Sequence, residues 1–142
     1  MFDSSQASRA LGPNRAHLAY AQVGIETGVH GATPHQLVQM LFDGFLESLA
    51  QARGAIVAGD LPARGRALRR ASAIVDEGLR GALDLERGGE LAGNLQELYT
   101  YVVMRLTQAH ANSDPALLDE CQRLIQPLRE AWNAIKPQRL AA

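Results

Sequence analysis

Thr33 and Pro34 open the stretch that most constrains what this chain can become. Threonine caps a helix with its hydroxyl, and proline suits the first helical position, where a missing N–H costs nothing. From there Leu37, Val38, Met40, Leu41, Phe42, Phe45, Leu46 and Leu49 fan over about 240° of a helix advancing about 100° per residue. Gln36, Gln39, Asp43 and Glu47 are left as a narrow polar strip. A helix on the outside of a domain needs an apolar stripe only somewhat wider than about 100°. The segment must therefore be buried against other helices, and its surplus is expected to meet a partner.

The remaining punctuation predicts four more helices. Residues 1–13 are polar, end in Leu11-Gly12-Pro13 and read as a flexible leader. A short, mobile first helix begins near Asn14, with Ala16, Tyr20 and Val23 as a thin stripe and Gly24 and Gly28 weakening it. The capped helix runs from Pro34 to about Ala58 and stops at Gly59. Asp60 caps a third helix, with Pro62 in its first turn, expected to reach about Arg87 before Gly88-Gly89. Glu90 opens a fourth, in which Leu91, Leu95, Leu98, Val102, Leu106 and Ala109 follow helical spacing while Tyr99, Tyr101, Val103 and Met104 fall outside that stripe. Asp114-Pro115 starts the fifth, carrying Leu118, Cys121, Ile125, Leu128, Trp132 and Ile135 to Lys136, with Pro127 expected to kink it. Residues 137–142 are a flexible tail.

No segment alternates with a period of two, so the chain is all-α. Long amphipathic helices joined by short links predict an antiparallel up-down four-helix bundle over residues 14–136, with the short N-terminal helix laid against it. The 142 residues suffice for one such domain. Fourteen basic residues against 15 acidic ones leave a net charge of -1, so no global field favours nucleic acid or an anionic membrane. No apolar run approaches the roughly 18 residues of a spanning helix, so membrane insertion is not expected. A lone cysteine and an N-terminus without a basic start or apolar core point to the cytoplasm.

Chemistry is hard to find in the pattern. No glutamate has a histidine three residues later, the spacing by which bundles hold paired metals, and His17, His30, His35 and His110 are scattered. Cys121 lies on an apolar stripe, as a buried inert thiol would. Phosphate loops and nucleophile elbows are missing, so neither an enzyme nor a cofactor is expected. Arg64, Arg66, Arg69 and Arg70 cluster early in the third helix, without interleaved aromatics and with Asp76, Glu77, Asp84 and Glu86 downstream, and read as a solvated face.

Three segments resemble the FliS family of flagellin export chaperones. Thr33-Pro34-His35-Gln36-Leu37 followed by Leu41-Phe42-Asp43-Gly44 is similar to its Ser/Thr-Pro-x-x-Leu opening and Leu-Tyr-x-Gly. Asn94-Leu95-Gln96-Glu97-Leu98-Tyr99-Thr100-Tyr101 resembles its Asn-Leu-x-x-Leu-Tyr-x-Tyr, and Leu128-Arg129-Glu130-Ala131-Trp132 its Leu-Arg-x-x-Trp. Phe42 stands where tyrosine is common, and Pro127 interrupts the last helix. The likeness spans roughly residues 16 to 136.

This resemblance implies a cytoplasmic chaperone that binds the disordered C-terminal segment of flagellin one-to-one in apolar grooves, holds off premature polymerisation and is presented to a component of the flagellar export gate. On that basis Leu37, Met40, Leu41, Gly44, Leu98, Tyr101 and Val102 are expected to line the client groove. Tyr20 and Val23 are expected to cover it at rest, since the family's N-terminal region folds back over a groove. The residues themselves leave a second reading open, a helical scaffold whose surplus apolar face makes a homodimer or docks another helix.

Overall fold

The computed structural model describes Arg15 and residues 32–135. The expected leader, first helix and tail, and with them Tyr20 and Val23, lie outside the described residues. Within them the chain is helical and contains no strand: α1 spans Pro34–Ala58, α2 Leu61–Ala73, a π-helical segment Ile74–Arg80, α3 Gly89–Asn112 and α4 Pro115–Ala134.

The start and stop signals act as their chemistry dictates. Thr33 Oγ1 accepts from the Gln36 amide at 3.1 Å, and Gln36 Oε1 accepts from the Thr33 amide at 2.9 Å, a closed capping box ahead of Pro34. Gly59 ends α1 at φ 71°, a conformation costly for any residue with a Cβ, and the Asp60 amide then donates to the Ala55 carbonyl. Asp60 and Asp114 cap α2 and α4 by accepting from the Ala63 and Ala116 amides, each at 3.0 Å. α4 runs through Pro127 without interruption, the ring lying on its exposed side.

The third helix stops earlier than the stripe predicts. It ends at Arg80, not near Arg87, and its last seven residues are π-helical. Hydrogen bonds from i to i+5 widen the turn, so residues four and five apart share a face. Ile74, Val75, Gly78 and Leu79 are accordingly all buried. Beyond Gly81 the Asp84 carboxylate accepts from the Glu86 and Arg87 amides at 3.1 and 3.0 Å. That local bonding offers the backbone an alternative to another helical turn. Ala82 and Leu83 stay in the core even though they have left the helix.

The helices form a ring in which α1 packs on α2 and α4, and α3 packs on α2, the π-helical segment and α4. Neighbours are antiparallel. Along α1 and α4, His35 meets Trp132, Asp43 meets Arg129 at 2.5 Å, and Arg53 meets Asp119 at 2.7 Å. α1 and the π-helical segment bring Gly44 to Ile74, while the N-terminal half of α2 lies near the C-terminal end of α3 through Gly65 and His110. Phe45, Leu49, Leu68, Ile74, Leu106, Leu118 and Ile125 are fully buried at the centre. The antiparallel four-helix bundle expected from the pattern is the observed core.

Candidate functional site

The wide apolar arc of α1 is consumed mostly inside the bundle. Leu37, Val38, Leu41, Phe42, Gly44, Phe45, Leu49, Ala52 and Ala55 are all buried, because α1 packs against α2, the π-helical segment and α4 rather than a single neighbour. Ser48 shares that interior by donating its hydroxyl to the Gly44 carbonyl at 2.9 Å. At Gly44 an added Cβ would stand 3.3 Å from Ile74 Cδ1, so the missing side chain brings α1 and the π-helical segment close.

The seven residues expected to line one groove are therefore divided. Leu37, Leu41, Gly44 and Val102 are buried, and Leu98 is half-buried. Met40, 37% exposed, and Tyr101, 38% exposed, reach the surface. α1 and α3 lie across the diagonal of the ring, so Met40 and Tyr101 stand on helices that are not packed neighbours. Met104, one turn after Tyr101, adds a further 48% exposed apolar side chain to α3.

Tyr101 is held by charge. Its hydroxyl donates to Glu120 Oε2 at 2.7 Å, while Arg105 Nε donates to Glu120 Oε1 at 2.5 Å and the guanidinium carbon lies 5.9 Å from the tyrosine ring centre. The hydrogen bonds from Tyr101 and then Arg105 hold the Glu120 carboxyl below the usual carboxylate range. The same bond to Glu120, with some burial, raises the Tyr101 phenol. With its hydroxyl engaged, Tyr101 presents ring rather than a free polar group. Tyr99 is buried, and burial raises its phenol strongly.

Two depressions were not anticipated from the sequence. One, of about 430 Å³, runs between α2 with the π-helical segment and α3, and is lined by Leu68, Ala73 and Val103 with Arg69, Ser72, Asp76, Glu77, Thr107 and His110. Val103 outside the core stripe was the available signal. The other, of about 320 Å³, lies between α1 and α2, with Ala63 and Ala67 as its apolar part and Gln51, Arg66 and Arg70 around them.

Among the described residues no group of three or more His, Cys, Asp or Glu side chains is gathered to hold a metal ion. Burial pushes the Cys121 thiol up to about 11, the opposite of an activated nucleophile. No described helix is long and apolar enough to cross a membrane.

Comparison with known proteins covers the whole bundle. A family model described as flagellar protein FliS matches residues 16–139. The flagellar secretion chaperone FliS of Salmonella typhimurium is 47% identical over 120 residues, 84% of this chain and 89% of that protein. The flagellar secretion chaperone FliSB of Pseudomonas aeruginosa is 47% identical over 121 residues, 85% of this chain and 95% of that protein. Similarity extends to the FliS of Bacillus subtilis, 32% identical over 124 residues.

Proposed function

The chain belongs to the FliS family of flagellar proteins, and from that premise we propose that it is an export chaperone for flagellin. It binds the disordered C-terminal segment of newly made flagellin in the cytoplasm, one chaperone to one client, keeps that segment from polymerising and delivers it to the flagellar type III export apparatus. A non-enzymatic binding protein needs only surface for this. The observation that carries the reading is the match across residues 16–139, which takes in the four described α-helices and the three segments already singled out.

Physical chemistry supports such a mode. An amphipathic client laid into apolar surface binds without charge complementarity, which suits a chain with net charge -1. Ordering a flexible client costs ~2–5 kcal/mol of the gross interaction, which favours release at the export gate. Met40, Leu98 and Tyr101 are assigned direct contact, since each has exposed surface. Leu37, Leu41, Gly44 and Val102 lie beneath as the supporting layer, and Tyr20 and Val23 are assigned the competing cover.

Light scattering on the purified chain mixed with the C-terminal segment of its own organism's flagellin tests this. A 1:1 complex with a gain of helical circular dichroism is expected. A tight homodimer that ignores the segment at micromolar concentration would replace the proposal with the scaffold reading.

A further inference from the structure

Arg64, Arg66, Arg69 and Arg70 cluster on α2. Arg53, Arg80, Arg105 and Arg129 each meet a carboxylate within 4.0 Å, at Asp119, Asp76, Glu120 and Asp43. Among the described residues, Arg64, Arg66, Arg69 and Arg70 meet none, and Arg64 Nε is buried without a hydrogen-bond partner. Arg66, Arg69 and Arg70 are exposed and, at about 100° per residue, share one side of α2.

Arg69 is also positioned. A Cβ built on Gly65 would stand 3.1 Å from Arg69 Nη1 and 3.4 Å from His110 Cε1. The guanidinium therefore folds back over the glycine beside an imidazole, a place that a side chain at position 65 would crowd. Arg69 and His110 line the same groove as Leu68 and Val103, together with Glu77 and with Asp76, which is paired to Arg80. One residue further round the helix, Arg66 and Arg70 flank the second depression with Ala63 and Ala67.

We propose that this face of α2, centred on Arg69 and His110 over Gly65 with Arg66 and Arg70 beside them, docks an acidic segment of a protein partner. Planar guanidiniums pair bidentately with carboxylates, and arginine holds this geometry better than lysine. The half-buried Val103 takes an apolar side chain of the same segment. Nucleic acid fits less well, because no phenylalanine, tyrosine or tryptophan lines either depression to stack a base. A lone small anion fits less well too, since the α2 N-terminus is already occupied by the Asp60 carboxylate and the guanidiniums extend over more than one turn. Neither depression is lined by Met40, Leu98 or Tyr101, so the proposal goes beyond the client contacts assigned above.

The test uses the full chain and three probes: an acidic amphipathic peptide with glutamates four residues apart around leucine, its glutamine counterpart, and inorganic phosphate. Expected are amide shifts confined to α2 and the His110 region on adding the acidic peptide. Affinity falls about tenfold in a variant combining R66Q, R69Q and R70Q, and falls again as salt rises from about 50 to about 200 mM. Helicity and binding of the flagellin segment stay unchanged in that variant. Equal binding of the glutamine peptide, shifts elsewhere, saturation by phosphate alone, or tighter binding of a short single-stranded RNA would each overturn the proposal. Loss of flagellin binding in the triple variant would assign these arginines to the client site and overturn it as well, while flagellin failing to bind the unaltered chain bears only on the chaperone reading.

Discussion

His35 and Trp132 grip each other twice across the α1–α4 interface. The Trp132 indole N–H donates to the His35 carbonyl oxygen at 3.0 Å, and His35 Nε2 donates to the Trp132 carbonyl oxygen at 3.0 Å. A carbonyl only accepts, so Nε2 carries the proton. The rings stack with centres 4.9 Å apart and planes 14° from parallel. The pair locks the first turn of α1 to the last turn of α4, and it joins two of the segments on which the family resemblance rests. This gives a structural reason for a tryptophan at position 132.

Replacing Trp132 by Ala removes the buried ring and the donor together and should cost about 3–5 kcal/mol. Trp132→Phe keeps an aromatic but leaves the His35 carbonyl without its donor, a loss of about 1–3 kcal/mol. Urea unfolding checks both, with a lower midpoint and an unchanged slope expected.

Leu41 and Met40 are adjacent in sequence but opposite in consequence. Leu41 is fully buried and Met40 is 37% exposed. Leu41→Asp puts a carboxylate into the core and should cost more than about 4 kcal/mol, enough to unfold a marginal bundle. Met40→Asp should keep the unfolding free energy within about 0.5 kcal/mol while weakening flagellin binding about fivefold or more. Circular dichroism and a binding titration on the two variants separate core from contact surface.

That contrast also marks what the sequence could and could not convey. The limits of α1 were legible because Thr33, Pro34 and Gly59 are local signals that act within a turn of their own position. The width of its apolar arc was equally legible, but its meaning was not, since a single helix does not say how many neighbours it will have. Leu37 and Leu41 therefore pointed to a partner when they belong to the core. The end at Arg80 was hidden because Leu79 and Ala82 continue a helical stripe, while the π-register and the Asp84 turn depend on packing and backbone bonding that periodicity does not register.

Glu120 makes stability depend on pH. Its carboxyl is lowered in the folded chain by the hydrogen bonds from Tyr101 and Arg105, so its contribution is complete above the unfolded value near ~4.3 and is lost as pH falls through the folded one. Tyr101 is raised by the same bond to Glu120, so its contribution is present below about 10 and is lost as pH rises through its folded value. Unfolding midpoints of Glu120→Gln and the unaltered chain should differ at neutral pH and converge in acid. Those of Tyr101→Phe should converge with it in strong alkali.

Two glycines of α1 should respond differently to a methyl group. Gly54 has nothing within 4 Å of an added Cβ, so Gly54→Ala should stabilise the chain by about 0.5–1 kcal/mol through helix propensity and a less flexible unfolded state. Gly44 faces Ile74 Cδ1 at 3.3 Å, so the branched side chain of Gly44→Val should overpack that contact and cost about 1–3 kcal/mol. Thermal unfolding of the two variants gives the signs.

The central claim, that this bundle keeps flagellin monomeric before export, is tested most directly by following the seeded polymerisation of flagellin as the chain is added. The account predicts that growth is suppressed in proportion to the chain added and is abolished at one chain per flagellin. Unchanged polymerisation with the chain in excess would contradict it.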